Sequence, residues 1–311
     1  MKKVLITAPY MIREMGKVRK LFAGEDVLID FAKVEERLDE PELLQIIKGY
    51  HGIICGDDKI TKNVLEKAKN LQVIVKWGTG IDSIDKKEAE RKGIPVFRTT
   101  NAFSEPVADT TLGLILGFAR AIFLSDRLMK SGIWDKPQAY CLSEKVIGII
   151  GLGNVGTAVA KRLNVFNTVI LANDIVEKNP KIIKNLGLNM VNKNEIYENA
   201  DFISLHCDLN ETSYHILDKT AFGLMKKKPF IINTARGSLV EENALIEALK
   251  SEMIAGAALD VFEDEPLSKD SPLRKMENTI LSSHNSNSSP YHWQKVHENS
   301  VRMLLKGLNI G

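Results

Sequence analysis

The stretch VIGIIGLGNVGTAVAKRLN, residues 146–164, decides how the rest of the chain is read. It opens as a β-like apolar run, turns through glycines at 151, 153 and 156, and continues with apolar residues at helical spacing. G-x-G-x-x-G alone is weak, because glycine-rich turns are common. Placed between a strand and a helix, it has a mechanism. Gly151 permits the tight turn, Gly153 lets the backbone approach a pyrophosphate, and Gly156 lets helix and strand pack closely. The phosphates would sit on free N–H groups at the helix N-terminus, where the dipole favours negative charge. Asp174 ends the next apolar run, TVILAND (168–174). A carboxylate there can accept both ribose hydroxyls and repels a 2′-phosphate, so NAD is expected rather than NADP.

Outward from this loop, short apolar runs alternate with amphipathic stretches. Downstream come ADFISLHC (200–207), PFIINTA (229–235), IAGAALDVF (254–262) and TILSSH (279–284), completing six strand candidates. That series has the size of a doubly wound dinucleotide-binding unit. Upstream, VLIT (4–7), VLIDFA (27–32), GIIC (52–55), VIVKW (73–77) and PVFRT (95–99) imply a smaller parallel α/β unit. Asp39 with Glu42 has capping-box spacing around Pro41, and Thr61 and Asp85 open further helices. One long helix is expected from Ser104 to about Ser131. Its stretch TTLGLILGFA (110–119) is apolar nearly all round, which suits a helix buried on several sides. A last helix, Tyr291 to Leu308, can cross back to the first unit.

The totals narrow the class. A net charge of +2 over 311 residues predicts neither nucleic-acid nor membrane binding. Cys55, Cys141 and Cys207 fit no zinc spacing and no disulfide framework, so no metal and a reducing, cytoplasmic compartment are expected. No apolar run reaches membrane-spanning length, about 18 residues.

A dinucleotide enzyme of this kind needs a group that moves a proton and a cation that grips an anionic substrate. NTARGSLV (233–240) puts Arg236 just past a strand, LDVFEDEP (259–266) does so for Glu265, and ILSSH (280–284) for His284. Ligands of open parallel sheets bind at the carboxyl ends of strands, so the three can converge. Arg236 offers a planar fork for a carboxylate, His284 can give or take a proton, and Glu265 can orient the imidazole.

With KWGTGIDSID (76–85), FSEPVADTTLGLILGFAR (103–120), IIGLGNVG (149–156), SLHCDLNETSYHI (204–216), INTARGSLVEENALIEAL (232–249), AALDVFEDEP (257–266) and ILSSH, nearly the whole chain resembles the D-isomer-specific 2-hydroxyacid dehydrogenase family. The resemblance implies an NAD-dependent oxidoreductase acting on a small-molecule 2-oxoacid/2-hydroxyacid pair, with Arg236, Glu265 and His284 catalytic. It implies cofactor contacts at Gly151, Gly153, Asn154, Val155, Gly156, Asp174, Cys207, Thr234, Ala235, Arg236 and Asp260. It implies a backbone cradle for the substrate carboxylate at Gly78, Thr79 and Gly80, assisted by Arg236. It further implies a Rossmann nucleotide domain (103–285) inserted into a smaller flavodoxin-like substrate domain (1–102 plus 286–311), and a homodimer built on the helix beginning near Ser104.

Two departures bear on substrate. The histidine is followed by Asn285, Ser286 and Asn287, more polar than the family's usual residues. Asp57 and Asp58 stand close to where phosphoglycerate dehydrogenases of the family carry an arginine and a serine at 56 and 57, and an acidic pair would not welcome a phosphate. Glycerate-, hydroxypyruvate- or glyoxylate-like substrates are therefore expected, with D-3-phosphoglycerate as the alternative. A catalytically inactive NAD(H)-sensing or corepressor-like binding protein is the alternative of another class.

Overall fold

The apolar runs foreseen in the sequence form strands that all pair in parallel in the computed structural model, which describes residues 1–310. Two compact units result, Met1–Phe103 with the segment from Ser288, and Ser104–Asn287.

The first unit has strands β1 (Lys2–Ile6), β2 (Val27–Phe31), β3 (Gly52–Cys55), β4 (Val73–Lys76) and β5 (Val96–Arg98), in the order β2-β1-β3-β4-β5. That is the flavodoxin-like order. Local chemistry sets the helix starts. Asp39 and Glu42 form the capping box of Glu40–Ile46, and Thr61 and Asp85 each accept an N–H three residues on. The closing helix Pro290–Gly307 returns to pack on β3, β4 and β5.

The second unit has β6 (Val146–Ile150), β7 (Val169–Asn173), β8 (Leu188–Met190), β9 (Phe202–Leu205), β10 (Phe230–Asn233), β11 (Gly256–Leu259) and β12 (Thr279–Leu281), in the order β12-β11-β10-β9-β6-β7-β8. The first six strands in chain order trace the doubly wound 3-2-1-4-5-6 pattern. β8 is a strand that the apolar pattern does not announce, because it is a three-residue edge strand with Asn189 and Met190 exposed. The central strands are covered on both faces. Ile203, Leu205, Ile231 and Leu259 enter one core, while Phe202, Ile232 and Ala258 enter the other. Each large aliphatic side chain so buried contributes roughly 1.5–3 kcal/mol relative to exposure.

The long helix expected from Ser104 is two helices, Ser104–Ala119 and Ile122–Lys130, bent by 62°. The break is at Ala121, whose φ of 52° is left-handed. It folds the Phe123 ring onto Gly117, where a Cβ would stand 2.2 Å from the ring. The first helix is buried along Ala108, Thr111, Ile115 and Ala119 and lies against Asn154–Asn164. The second buries none of its residues. Among the described residues no single helix is long and apolar enough to cross a membrane.

Candidate active site

The glycine loop behaves as its spacing requires. Gly151 has φ +96°, and a Cβ on it would meet the Cys207 nitrogen at 2.5 Å. A Cβ on Gly156 would sit 1.9 Å from the Gly151 carbonyl oxygen, which locks the helix Asn154–Asn164 against the turn. Gly153 differs, since a Cβ there would meet no protein atom within 4 Å. The first N–H groups of the following helix, including those of Asn154 and Val155, have no intrahelical acceptor. Open space over unpaired donors at a helix N-terminus suits a pyrophosphate.

Asp174 is more engaged than a ribose acceptor need be. Its Oδ2 accepts the Leu152 N–H at 2.6 Å and lies 2.9 Å from Lys178 Nζ, and its Oδ1 accepts the Val176 N–H at 2.8 Å. Burial pushes the carboxyl up, but Val176, Lys178 and Leu152 outweigh it and hold it below the ordinary aspartate range. Lys178 was not foreseen; residues 174–178 are not helical, so no i,i+4 spacing rule announces the pair. Behind the loop, His206 is buried with Nε2 at 2.8 Å from Ser204 Oγ and no partner for Nδ1. Burial pushes its imidazole down to about 3. Burial likewise raises the Cys207 thiol to about 11. Both are neutral at pH 7.

Arg236, Glu265 and His284 follow β10, β11 and β12, three neighbouring strands of one sheet, all at the carboxyl end. The Arg236 turn is held from within. Asn233 Oδ1 accepts the Ala235 N–H at 3.1 Å, and Asn233 Nδ2 donates to the Arg236 carbonyl at 2.9 Å. The guanidinium Nη1 donates to the Ala235 carbonyl at 2.8 Å. Thr234 is buried, its hydroxyl 3.0 Å from that of Thr111.

His284 and Glu265 are in contact. Nδ1 of the imidazole lies 3.0 Å from Glu265 Oε2, and Glu265 Oε1 accepts the Phe262 N–H at 3.0 Å. The side chains are 19% and 12% exposed, so the pair is screened from water without being sealed from it. An ionised carboxylate only accepts, so Nδ1 carries the proton on this bond and Nε2 is the other functional nitrogen. Asp260 fixes the backbone. Its carbonyl accepts the His284 N–H at 2.7 Å, and its carboxylate accepts those of Asn285 and Ser286 at 2.9 and 3.0 Å. The polar segment after His284 is thus tied down through its N–H groups. Asp260 is fully buried, its carboxylate committed to that loop.

The glycines Gly78 and Gly80 flank Thr79 in a separate loop, after β4 of the first unit. Gly78 has φ +116°. Thr99 N–H and Arg98 Nη1 hold the Gly78 and Thr79 carbonyls at 3.0 Å each. Among the described residues no protein acceptor takes the Thr79 or Gly80 N–H. Held carbonyls beside donors left over are what an anion-binding turn requires.

The neighbouring acids differ from expectation. Asp58 is no surface partner of Asp57; it is fully buried and accepts from Thr7 Oγ1, Leu38 N–H and Gly56 N–H at 2.6, 2.7 and 2.9 Å. Burial raises its carboxyl despite those bonds. Asp57 pairs at 3.0 Å with Lys76, itself buried. The segment is close to charge-balanced. Trp77 is core, stacked on Tyr10 at 4.4 Å and donating to His297 Nδ1 at 2.8 Å.

Residues 112–286 match the family described as D-isomer specific 2-hydroxyacid dehydrogenase, NAD binding domain. A glyoxylate reductase of Thermofilum pendens is 38% identical over 88% of this chain and 84% of its own length. A D-3-phosphoglycerate dehydrogenase of Methanocaldococcus jannaschii is 38% identical over 91% of this chain, but the match spans only 53% of that protein. The solved TT0316 protein of Thermus thermophilus is 29% identical with a TM-score of 0.82, over 99% of this chain and 97% of its own. A glycine loop fit for NAD on one sheet of such a fold and likeness over nearly the whole chain agree: this chain belongs to the D-isomer-specific 2-hydroxyacid dehydrogenases and is an NAD-dependent oxidoreductase of 2-hydroxyacids.

Proposed function

We propose that the protein reduces small, singly charged 2-oxoacids of the glyoxylate and hydroxypyruvate type, with Arg236, Glu265 and His284 as its catalytic residues. The observation that carries this reading is the 3.0 Å contact between His284 Nδ1 and Glu265 Oε2, one strand over from the Arg236 turn. When bound, NADH supplies the hydride. Gly151, Gly153, Asn154, Val155 and Gly156 hold its pyrophosphate, Asp174 its ribose, and Cys207, Thr234, Ala235 and Asp260 line the remaining strand ends.

His284 gives the proton from Nε2 to the forming alkoxide and takes it back in oxidation. Glu265 keeps Nδ1 protonated, so Nε2 is the atom that exchanges the proton, and its negative charge favours the imidazolium. Arg236 grips the substrate carboxylate and carbonyl oxygen with two parallel N–H bonds. Within the first unit, the N–H groups of Thr79 and Gly80 with the Gly78 turn are the donors suited to a carboxylate.

What supports a small, singly charged substrate lies in the first unit. A phosphorylated 2-oxoacid needs a second cation. Lys76 is spent on Asp57 and Arg98 donates to the Thr79 carbonyl, which favours hydroxypyruvate over its phosphate ester. A protein that only senses NAD(H) has no need of an oriented imidazole–carboxylate pair. We further propose a cytoplasmic homodimer. Three free cysteines suit a reducing compartment, and Ile122, Phe123, Met129, Ile133 and Trp134 are apolar and exposed at and after the bend.

NADH oxidation with glyoxylate, hydroxypyruvate, pyruvate and 3-phosphohydroxypyruvate tests the reading. Turnover of the first two above the others is expected. NADH binding without turnover of any would overturn it in favour of a sensor.

A further inference from the structure

The loop Asp260–Pro266 carries three carboxylates that fix the site, and they point to different parts of the unit. Asp260 and Glu265 hold the His284 segment. Glu263 turns the other way. Its Oε1 lies 2.5 Å from His215 Nε2, and its Oε2 accepts the N–H of Glu242, first residue of the helix Glu242–Lys250.

Both partners belong to chain that is knitted to the segment leaving Arg236. His215 N–H donates to the Ser238 carbonyl, Leu217 N–H to that of Leu239, and Glu241 N–H to that of Leu217. Gly237, next to Arg236, has no room for a side chain: a Cβ would lie 1.9 Å from the carbonyl of Phe262. The Tyr214 ring stacks on His215 at 3.9 Å and limits its swing. Glu242 and Asp264 are the other acids near Glu263, and burial followed by the Glu263 charge raises the Glu242 carboxyl. The carboxylate of Glu263 therefore has one cation-forming partner, His215, and one backbone donor.

We propose that Glu263 and His215 are positioning residues: they brace the loop Asp260–Pro266 against the segment that carries Arg236, and so hold Glu265 on His284. This rests on the reading of Glu265 and His284 as the acid–base pair. Phe262, whose N–H Glu265 accepts, and Glu265 itself lie on either side of Glu263. With Glu263 anchored, the carboxylate that orients His284 keeps its place. Without it, the turn from Phe262 to Glu265 keeps its own hydrogen bond, the buried Phe262 side chain and the close approach of Gly237, but loses the carboxylate's bonds to His215 and Glu242.

The test compares kcat against pH for reduction of hydroxypyruvate with NADH in Glu263→Ala, His215→Ala, His215→Gln, Glu265→Gln and His284→Asn. In reduction the imidazolium is the donor, so activity falls as pH rises, and losing the Glu265 charge moves that alkaline limb to lower pH. Glu263→Ala and His215→Ala are expected to move the limb the same way as Glu265→Gln. They should also lower kcat about 10- to 100-fold, the effect of misplacing a catalytic group by about 1 Å. NADH affinity should change little. His215→Gln, whose amide N–H can still reach Glu263, is expected to restore the limb. If Glu263→Ala does not fold, the two His215 variants read the same limb.

An unmoved limb in a folded Glu263→Ala or His215→Ala enzyme, with His284→Asn inactive, overturns the brace alone. An active His284→Asn enzyme instead overturns the acid–base reading beneath it.

Discussion

Gly153→Ala separates the cofactor's needs from the fold's. Gly153 sits at φ −73° and ψ −158°, a conformation that alanine adopts freely, and its added methyl would meet no protein atom within 4 Å. Two small effects of opposite sign remain. Alanine is a poorer N-cap than glycine by about 0.5–1 kcal/mol, while the stiffer unfolded chain returns about 0.4–1 kcal/mol. Stability should stay within about 1 kcal/mol of the parent. The cofactor meets a different situation, because the methyl stands over the donors of the first helical turn. Losing two charge-assisted bonds of about 1.5 kcal/mol each weakens binding by about 3 kcal/mol, roughly 10²-fold in Kd.

NADH titration by fluorescence, with thermal unfolding run beside it, reads both quantities. Gly156→Ala is the contrast, since its Cβ would stand 1.9 Å from the Gly151 oxygen and must disturb the helix itself. That variant should lose stability and binding together. Unchanged NADH affinity in a stable Gly153→Ala protein would refute the placement of the pyrophosphate on this loop.

Arg236→Lys keeps the charge and loses the planar fork, so kcat/KM for 2-oxoacids should fall about 10- to 100-fold with NADH affinity held; a change below about threefold would remove Arg236 from the substrate site. His206 gives a stability prediction. It is buried neutral, its imidazole pushed by burial from 6.5 down to about 3, so below pH 6.5 the unfolded chain binds a proton that the folded chain refuses. Stability should fall with pH through that window, by about 2 kcal/mol between pH 6.5 and 5 from this group alone. Thermal melts at the two pH values should show a smaller drop in His206→Asn than in the parent, and equal drops would contradict it.

The local parts of this fold were legible because local chemistry makes them. The glycine loop, the capping box at Asp39 and Glu42, and the caps at Thr61 and Asp85 are each set by neighbours in sequence. Arg236, Glu265 and His284 could be placed because parallel strands put their carboxyl ends on one edge. Features without a local signal were not legible. The bend at Ala121 is a left-handed backbone at a residue type that does not announce it, and strand β8 is an exposed edge without an apolar run. Asp57 and Asp58 look alike in sequence, yet one pairs with a buried lysine while the other is sealed among Thr7, Leu38 and Gly56. Glu263 and His215 lie 48 residues apart, so no periodicity joins them.

The most direct measurement is single-turnover reduction of hydroxypyruvate by NADH-loaded His284→Asn protein. Loss of the proton donor should slow the chemical step by roughly 10²–10⁴-fold while NADH binds as in the parent. Oxidation of NADH at close to the parental rate would mean that the imidazole held by Glu265 is not the group that moves the proton.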